Sequence, residues 1–252
     1  MSLPDTAEFD RWYGVVARSD RWRTFVAAQL GLPAELCATG FLSGEGLTEI
    51  QSLLALQPGD TLVDLGCGRA GYGLALVHDV GAQLIGIDFS SVALRGAEAD
   101  AADCGLATQA TFRLGELTAT GLPSGSARAV VCVDALQFAE SVSDALAECR
   151  RILQPGGLLV ATTWQCEPAD DRVPERIRRL HLEQDLLDAG FDDVEVAARP
   201  SWSSAERRLW SAALELDPGE DDALDELRDE AAALLPLAGS LQRVLAVGRR
   251  PS

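Results

Sequence analysis

Short apolar runs alternate with stretches of helical periodicity over most of the chain after residue 60. Apolar runs of strand length occur at 60–65, 83–88, 109–114, 128–133, 157–163 and 191–197. Between most of them, apolar residues recur at helical spacing, at about 72–80, 90–104, 142–153 and 174–189. A final apolar run at 242–248 reads as one more strand. This alternation predicts an α/β fold with a mostly parallel sheet that helices cover on both faces.

The segments before and after this alternating region are mainly helical in pattern. Apolar spacing predicts helices over 9–17, 22–30 and about 44–56, and again over about 203–216 and 221–235. We therefore expect a helical N-terminal cap at 1–57 and a core domain at 58–252. The core is expected to carry a helical insert near 165–190 and further helices near 203–235.

Charge and composition exclude several classes of function. The formal net charge is −18, which repels a phosphate backbone, so nucleic acid is not expected as a partner. All 21 basic residues are arginine, so neither a lysine Schiff-base enzyme nor a Walker A site is expected. Two histidines, and six cysteines without a CxxC pair, predict no metal site. No export signal or apolar run of membrane length occurs, which favours a soluble cytoplasmic protein without a membrane partner.

One glycine-rich turn carries the strongest chemical signal. Residues 61–73 read TLVDLGCGRAGYG, a strand with Asp64 near its end, then Gly66, Gly68 and Gly71 before a helix. Glycines let the backbone turn tightly and approach a ligand, and the following helix presents free N–H groups. By spacing alone, the turn also satisfies the dinucleotide-binding fingerprint. Asp64 argues against that interpretation, because a carboxylate there repels a pyrophosphate and attracts a ligand ammonium.

The segment DLGCGRAG resembles motif I of the class I, Rossmann-like S-adenosylmethionine-dependent methyltransferases, except that Ala70 stands at the third glycine position. LIGIDFS, FRLGEL, VCVDALQF and RILQPGGLLV follow in the order and spacing of later motifs of that family. The resemblance covers about residues 40–200. It implies a Rossmann-like, doubly wound sheet of about seven strands, mostly parallel with an antiparallel last strand, plus an N-terminal helical lid.

The same resemblance implies a set of residues that bind S-adenosylmethionine. Asp88 is expected on the ribose hydroxyls, Phe89 against adenine, and Glu116 near the adenine amino group. The full set is Asp64, Gly66, Cys67, Gly68, Gly71, Asp88, Phe89, Glu116, Leu117, Asp134 and Phe41. A helix that begins at Ser43 explains the segment around Phe41 equally well.

Residues that act on the acceptor are harder to find, because the transferred methyl is already activated and the protein mainly supplies alignment. His181, predicted on the apolar face of the helix at 174–189, is either a general base or a packed side chain. Asp134 is expected at the mouth of the sheet as a catalytic or ligand-contacting group. Candidate acceptor contacts are Gln137, Trp164 and Tyr13, although packing explains the two aromatic ones as well. An arginine run within 172–179 is either a solvated helix face or a site for a carboxylate or phosphate.

The resemblance implies methyl transfer to an O, N or C nucleophile of a small molecule, in secondary metabolism, with S-adenosylhomocysteine as product. Three alternatives stay open: a cyclase or decarboxylase-like enzyme that binds the same cofactor, an NAD(P)-dependent oxidoreductase, and a regulatory subunit without turnover. The oligomeric state, a homodimer included, is not decided by the sequence.

Overall fold

The structure is a computed structural model that describes residues 6–33, 35–166 and 170–252. Part of the expected insert, residues 167–169, lies outside the described residues. None of the helices within the described ranges is long and apolar enough to cross a bilayer.

Seven strands form one sheet. They are β1 Thr61–Leu65, β2 Gln83–Asp88, β3 Ala110–Leu114, β4 Ala127–Val133, β5 Leu153–Cys166, β6 Asp192–Ala198 and β7 Leu241–Arg249. Their order is β3-β2-β1-β4-β5-β7-β6. The first five strands run parallel, and β7 is antiparallel to both β5 and β6. The expected doubly wound, mostly parallel sheet with an antiparallel last strand is confirmed.

Ten helices surround the sheet in the described part of the chain. They are α1 Thr6–Val16, α2 Asp20–Leu30, α3 Gly44–Leu54, α4 Gly71–Val77, α5 Ser91–Asp103, α6 Val142–Ile152, α7 Glu175–Arg178, α8 Leu182–Asp188, α9 Pro200–Leu214 and α10 Asp222–Leu234. Short 3-10 helices follow β4 and α10. The side chains of β1 show how both sheet faces are covered: Leu62 and Val63 are fully buried and belong to different core clusters. This is the burial expected of a parallel sheet between two helical layers.

The single helix expected over 174–189 is wrong. The segment forms α7 and α8 with a break at 179–181. Leu180 and Leu182, two residues apart, are both buried in the same core cluster. Residues at that spacing point in different directions on one continuous helix, so the break lets both reach the core. Arg179 occupies the break and donates hydrogen bonds to the backbone oxygens of Gln137 and Ala139.

The N-terminal helices pack against the C-terminal helices as well as against the sheet. Ser19 caps α2 by accepting from the backbone N–H of Trp22, and its hydroxyl donates to Asp221 at 2.7 Å. Arg11 forms an ion pair with Glu226, and Arg21 forms one with Glu220 at 2.8 Å. The division into a cap at 1–57 and a core at 58–252 stays a prediction.

Candidate active site

A cavity of about 640 Å³ lies at the carboxyl ends of the central strands. Its floor comes from the ends of β1, β2, β4 and β5, and its roof from α1, α10 and the segment before α3. Most of the residues expected from the sequence line it: Tyr13, Phe41, Asp64, Gly66, Cys67, Asp88, Phe89, Leu117, Asp134, Gln137 and Trp164. The strand order reverses direction between β1 and β4, which is where ligands bind in open α/β sheets.

The glycine turn has the backbone shape that the sequence predicted. Gly66 has a φ of 72°, and a Cβ on it would lie 2.4 Å from the Cβ of Ala135. Gly68 has a φ of 53°, and a Cβ there would lie 2.8 Å from the hydroxyl oxygen of Tyr13. A side chain at either position would therefore collide with the wall or roof of the cavity. Ala70, at the family's third glycine position, adopts a φ of 60° and carries the modest cost of a left-handed alanine.

Gly71 and Gly68 do not line the cavity themselves. A Cβ on Gly71 would lie 2.6 Å from the backbone nitrogen of Ala38. Close packing against Ala38 therefore explains the glycine at 71, and the cofactor contact expected for it stays a prediction.

Asp88 is buried at the end of β2 and fastens the glycine turn. One carboxylate oxygen accepts the backbone N–H of Gly68 and the other accepts that of Ser90, each at 2.8 Å. The hydroxyl of Ser90 in turn donates to Asp10 on α1. Burial raises the pKa of Asp88, and the backbone N–H groups of Ser90, Gly68 and Phe89 oppose that rise. Each oxygen keeps a lone pair, so paired donors from a ligand can still bind.

Asp64 is a buried carboxylate that lacks a cation. Burial, with a further contribution from the charge of Asp88, raises the pKa of Asp64 to about 7. Within the described residues, neither Asp64 nor Asp88 forms an ion pair with an arginine or histidine. A ligand ammonium beside Asp64 would supply the missing charge and lower its pKa.

Asp134 ends β4 in a left-handed conformation with a φ of 54°. One carboxylate oxygen accepts the hydroxyl of Thr162 and a guanidinium N–H of Arg243, both at 2.7 Å. The other accepts the backbone N–H of Phe41 at 3.0 Å. The geometry does not support the expected catalytic part, because three protein donors already occupy this carboxylate. Its hydrogen bond with Phe41 holds the N-terminal segment before α3 against the sheet instead.

Arg243 is a central residue of this region that the sequence analysis missed. It lies on β7, is 1% exposed, and places its guanidinium carbon 4.4 Å from the ring centroid of Trp164. Its Nη1 lies 3.8 Å from a carboxylate oxygen of Glu206, which also accepts the indole N–H of Trp164. Burial raises the pKa of Glu206 to about 7. The available signal was an arginine directly before the apolar run Val244–Val247 of this strand.

Two expected acceptor contacts already have protein partners. Gln137 donates from its amide nitrogen to the backbone oxygen of Asp134 at 2.6 Å and accepts the hydroxyl of Thr163 at 2.9 Å. Trp164 presents its ring to the cavity while its indole N–H is bound to Glu206. Both residues therefore serve as fixed walls.

The acceptor end of the cavity, away from the glycine turn, is aromatic and apolar with charged groups at its rim. Its apolar lining residues are Trp12, Phe41, Phe138, Trp164, Ile177, Trp210, Leu234 and Leu241. Its charged lining residues are Glu8, Arg11, Arg176, Glu226, Asp229 and Glu230. Most of the charged residues come from α7 and α10, whose sequences carry no family motif.

Glu116 and His181 lie outside the cavity lining. Glu116 is exposed, although its neighbour Leu117 lines the cavity. His181 is exposed in the break before α8, where its backbone N–H donates to Asp185 at 2.9 Å. The expectation that His181 acts as a base rested on one continuous helix, and the break removes that basis. In the part of the chain that the structure describes, no cluster of three or more His, Cys, Asp or Glu could hold a metal ion.

Residues 63–161 match a family model described as a methyltransferase domain. The chain is 28% identical over 135 residues to a sterol 24-C-methyltransferase of Gibberella zeae, a match that covers 54% of this chain and 36% of that protein. It is 31% identical over 134 residues to 2-methyl-6-phytyl-1,4-hydroquinone methyltransferase of Synechocystis, covering 53% and 41%. The chain thus spans less than half the length of these curated relatives.

Solved structures share the fold along nearly the whole chain. The cyclase SpnF superposes with a TM-score of 0.72 at 21% identity, covering 100% of this chain and 98% of that one. Phosphoethanolamine N-methyltransferase 2 of Haemonchus contortus, solved with S-adenosyl-L-methionine, superposes with a TM-score of 0.76 at 17% identity, covering 96% and 60%. Residues 63–161 thus match a methyltransferase domain, and the strand order and the glycine turn agree with the Rossmann-like fold that the solved structures share.

Proposed function

We propose that the protein transfers a methyl group from S-adenosylmethionine to a small-molecule acceptor and releases S-adenosylhomocysteine. The observation that carries the proposal is the single cavity, which joins the glycine turn and its two buried carboxylates to an aromatic acceptor end. The curated relatives, which are named for sterols and a hydroquinone, support a small-molecule acceptor.

The residues at the glycine turn fit this cofactor. Asp64, buried without a cation, suits the ammonium of an amino acid, and Asp88 suits the two hydroxyls of a ribose. Phe89 lines the same end of the cavity and offers a ring face to a base. The bare backbone of Gly66 leaves room for close approach, which a Cβ would fill.

Bound S-adenosylmethionine supplies an activated methyl on a positively charged sulfur. The chain's own residues contribute alignment and exclusion of water. Tyr13 covers the turn at Gly68, and the hydrogen bond from the backbone of Phe41 to Asp134 holds the segment before α3 against the sheet. Trp164, fixed by Glu206, forms a rigid wall where the acceptor would lie.

The cap at 1–57, a cytoplasmic location, a homodimer and a role in secondary metabolism belong to the same proposal. The cap is supported by the leader residues that roof the cavity. A small-molecule acceptor is the basis for the metabolic role.

Calorimetry with S-adenosylhomocysteine, NAD⁺ and NADP⁺ tests the cofactor assignment. We expect heat of binding with S-adenosylhomocysteine and none with either dinucleotide. Binding of a dinucleotide alone would favour the oxidoreductase alternative and refute the proposal.

A screen of acceptors by mass spectrometry tests the reaction. Methyl transfer predicts S-adenosylhomocysteine in proportion to a product heavier by one methylene. A product formed without S-adenosylhomocysteine would favour a cyclase-like or decarboxylase-like reaction, and binding without any product would favour a regulatory subunit.

A further inference from the structure

Two oppositely charged side chains line the acceptor end of the cavity without a hydrogen-bonded partner in the described part of the chain. Arg176 comes from α7 and Glu230 from α10. The Nε of Arg176 is buried and has no hydrogen-bond partner, and its guanidinium carbon lies 5.3 Å from the ring centroid of Phe138. Among the described residues, neither side chain forms a hydrogen bond or a close ion pair.

Burial disfavours the charged form of both side chains. Burial lowers the pKa of Arg176 and raises the pKa of Glu230 to about 7, and each is the other's main charged neighbour. Glu226, which lies one turn before Glu230 on α10, is already paired with Arg11. A partly desolvated charge without a partner is unfavourable, so a ligand group that satisfies both would bind here.

The hydrogen-bonding chemistry of the pair limits what that group is. A guanidinium only donates, and an ionised carboxylate only accepts. An ammonium only donates, so it would leave Arg176 unsatisfied and be repelled by it. A carboxylate only accepts, so it would be repelled by Glu230 when Glu230 is ionised. A hydroxyl does both, because its oxygen accepts from Arg176 while its hydrogen is donated to Glu230.

We propose that Arg176 and Glu230 bind a hydroxyl of the methyl acceptor, and that the acceptor is an apolar molecule with a phenolic or enolic hydroxyl. The apolar walls that Phe138, Ile177 and Trp210 form beside the pair suit the skeleton of such a molecule. The inference rests on the proposed methyl transfer and deepens it by naming the acceptor class and the attacking atom.

The step balances with the groups named. The acceptor O–H bond breaks as its proton passes to the carboxylate of Glu230. The oxygen then forms a bond to the methyl carbon while the bond between that carbon and sulfur breaks. Arg176 stabilises the negative charge that develops on the oxygen, and Glu230, which keeps some solvent exposure, returns its proton to water.

Binding of three matched probes to the protein saturated with S-adenosylhomocysteine tests the inference. The probes are 2-naphthol, 2-naphthoate and 2-naphthylmethylamine, which share a ring system and differ in the head group. We expect 2-naphthol to bind most tightly, and Arg176→Gln or Glu230→Gln to weaken it about 10-fold to 100-fold. The matched control variants are Arg208→Gln and Glu215→Gln, whose exposed side chains lie outside the cavity.

The ionisation of bound 2-naphthol, followed by its fluorescence, provides a readout that a purely structural role would not move. The wild type should lower the pKa of the bound naphthol, and Arg176→Gln should abolish that shift while Arg176→Lys restores part of it. Equal binding by all variants, tighter binding of the amine or carboxylate, or no binding of 2-naphthol to the wild type would overturn the inference. Calorimetry with S-adenosylhomocysteine on the same samples reports folding and the cofactor site, so a failure of the proposed function is seen separately.

Discussion

Arg243 donates a hydrogen bond of 2.7 Å to Asp134, and both side chains are buried. The pair joins β7 to the end of β4, and Asp134 also binds the backbone of Phe41 in the leader. The carboxylate of Asp134 therefore joins β7, the end of β4 and the N-terminal segment before α3. Its two oxygens bind Phe41, Thr162 and Arg243, which come from three separate parts of the fold.

Replacing Arg243 should destabilise the protein strongly. Arg243→Met leaves the carboxylate of Asp134 buried without its cation, which costs about 3–5 kcal/mol. Urea denaturation measures this loss, and Arg208→Met on the exposed face of α9 is the control. The double variant with Asp134→Asn should lose less than the sum of the single losses. Additive losses would show that the pair is not energetically coupled.

Glu206 should make stability fall as the pH rises. Its folded pKa of about 7 exceeds the ordinary value of 4.5, so the folded state keeps a proton that the unfolded chain has already lost. The stabilisation that this proton gives is complete below pH 4.5 and is lost as the pH rises to about 7. The free energy of unfolding changes by about 3 kcal/mol over that range. Glu206→Gln should remove this part of the slope, whereas the exposed Glu215→Gln should not. Identical pH profiles for Glu206→Gln and the wild type would contradict the assignment.

Gly66→Ala should weaken cofactor binding by more than the strain of a left-handed alanine accounts for, because its Cβ would also collide with Ala135. Gly121 provides the matched control, because it has a φ of 68° with nothing near its missing Cβ, whereas Gly66 would bring a Cβ within 2.4 Å of Ala135. Gly121→Ala should cost about 1 kcal/mol of stability and leave binding of S-adenosylhomocysteine intact. Gly66→Ala should cost more and abolish that binding. Similar affinities for both variants in calorimetry would argue against close approach at Gly66.

Asp88→Asn should weaken binding of S-adenosylhomocysteine about 10-fold to 100-fold, because an amide replaces one of two charged acceptor oxygens. Calorimetry measures the affinity, and Glu98→Gln on the exposed face of α5 is the control. The amide oxygen of asparagine can accept only one of the two backbone N–H groups that Asp88 binds, so urea denaturation of the same variant separates a loss of stability from a loss of binding. Unchanged affinity would contradict the proposal that Asp88 binds the ribose hydroxyls.

His181→Ala should leave binding of both S-adenosylhomocysteine and 2-naphthol within about twofold of the wild type. The side chain is exposed and lies outside the cavity lining. A tenfold loss of affinity for either compound would instead show that His181 contributes to the site.

The strands and the glycine turn were predictable because their signals are local. The apolar run of β2 and the glycines after β1 lie within a few residues of the structure that they specify. The break between α7 and α8 was not predictable in this way, because it depends on Leu180 and Leu182 both reaching one core. The pairing of Arg243 with Asp134 joins residues far apart in the chain and leaves no periodicity. The ligand role expected for Glu116 came from resemblance alone, and the structure places that residue at the surface.

The position of β7 affects the order in which the site is assembled. β7 lies between β5 and β6 although it follows both in the chain. Synthesis proceeds from the N-terminus, so the glycine turn and Asp134 leave the ribosome well before Arg243. Until β7 inserts, the edges of β5 and β6 are open to other strands and Asp134 has no guanidinium. Asp134 therefore gains its ion pair, and the cavity gains Leu241 in its lining, only when this strand enters the sheet.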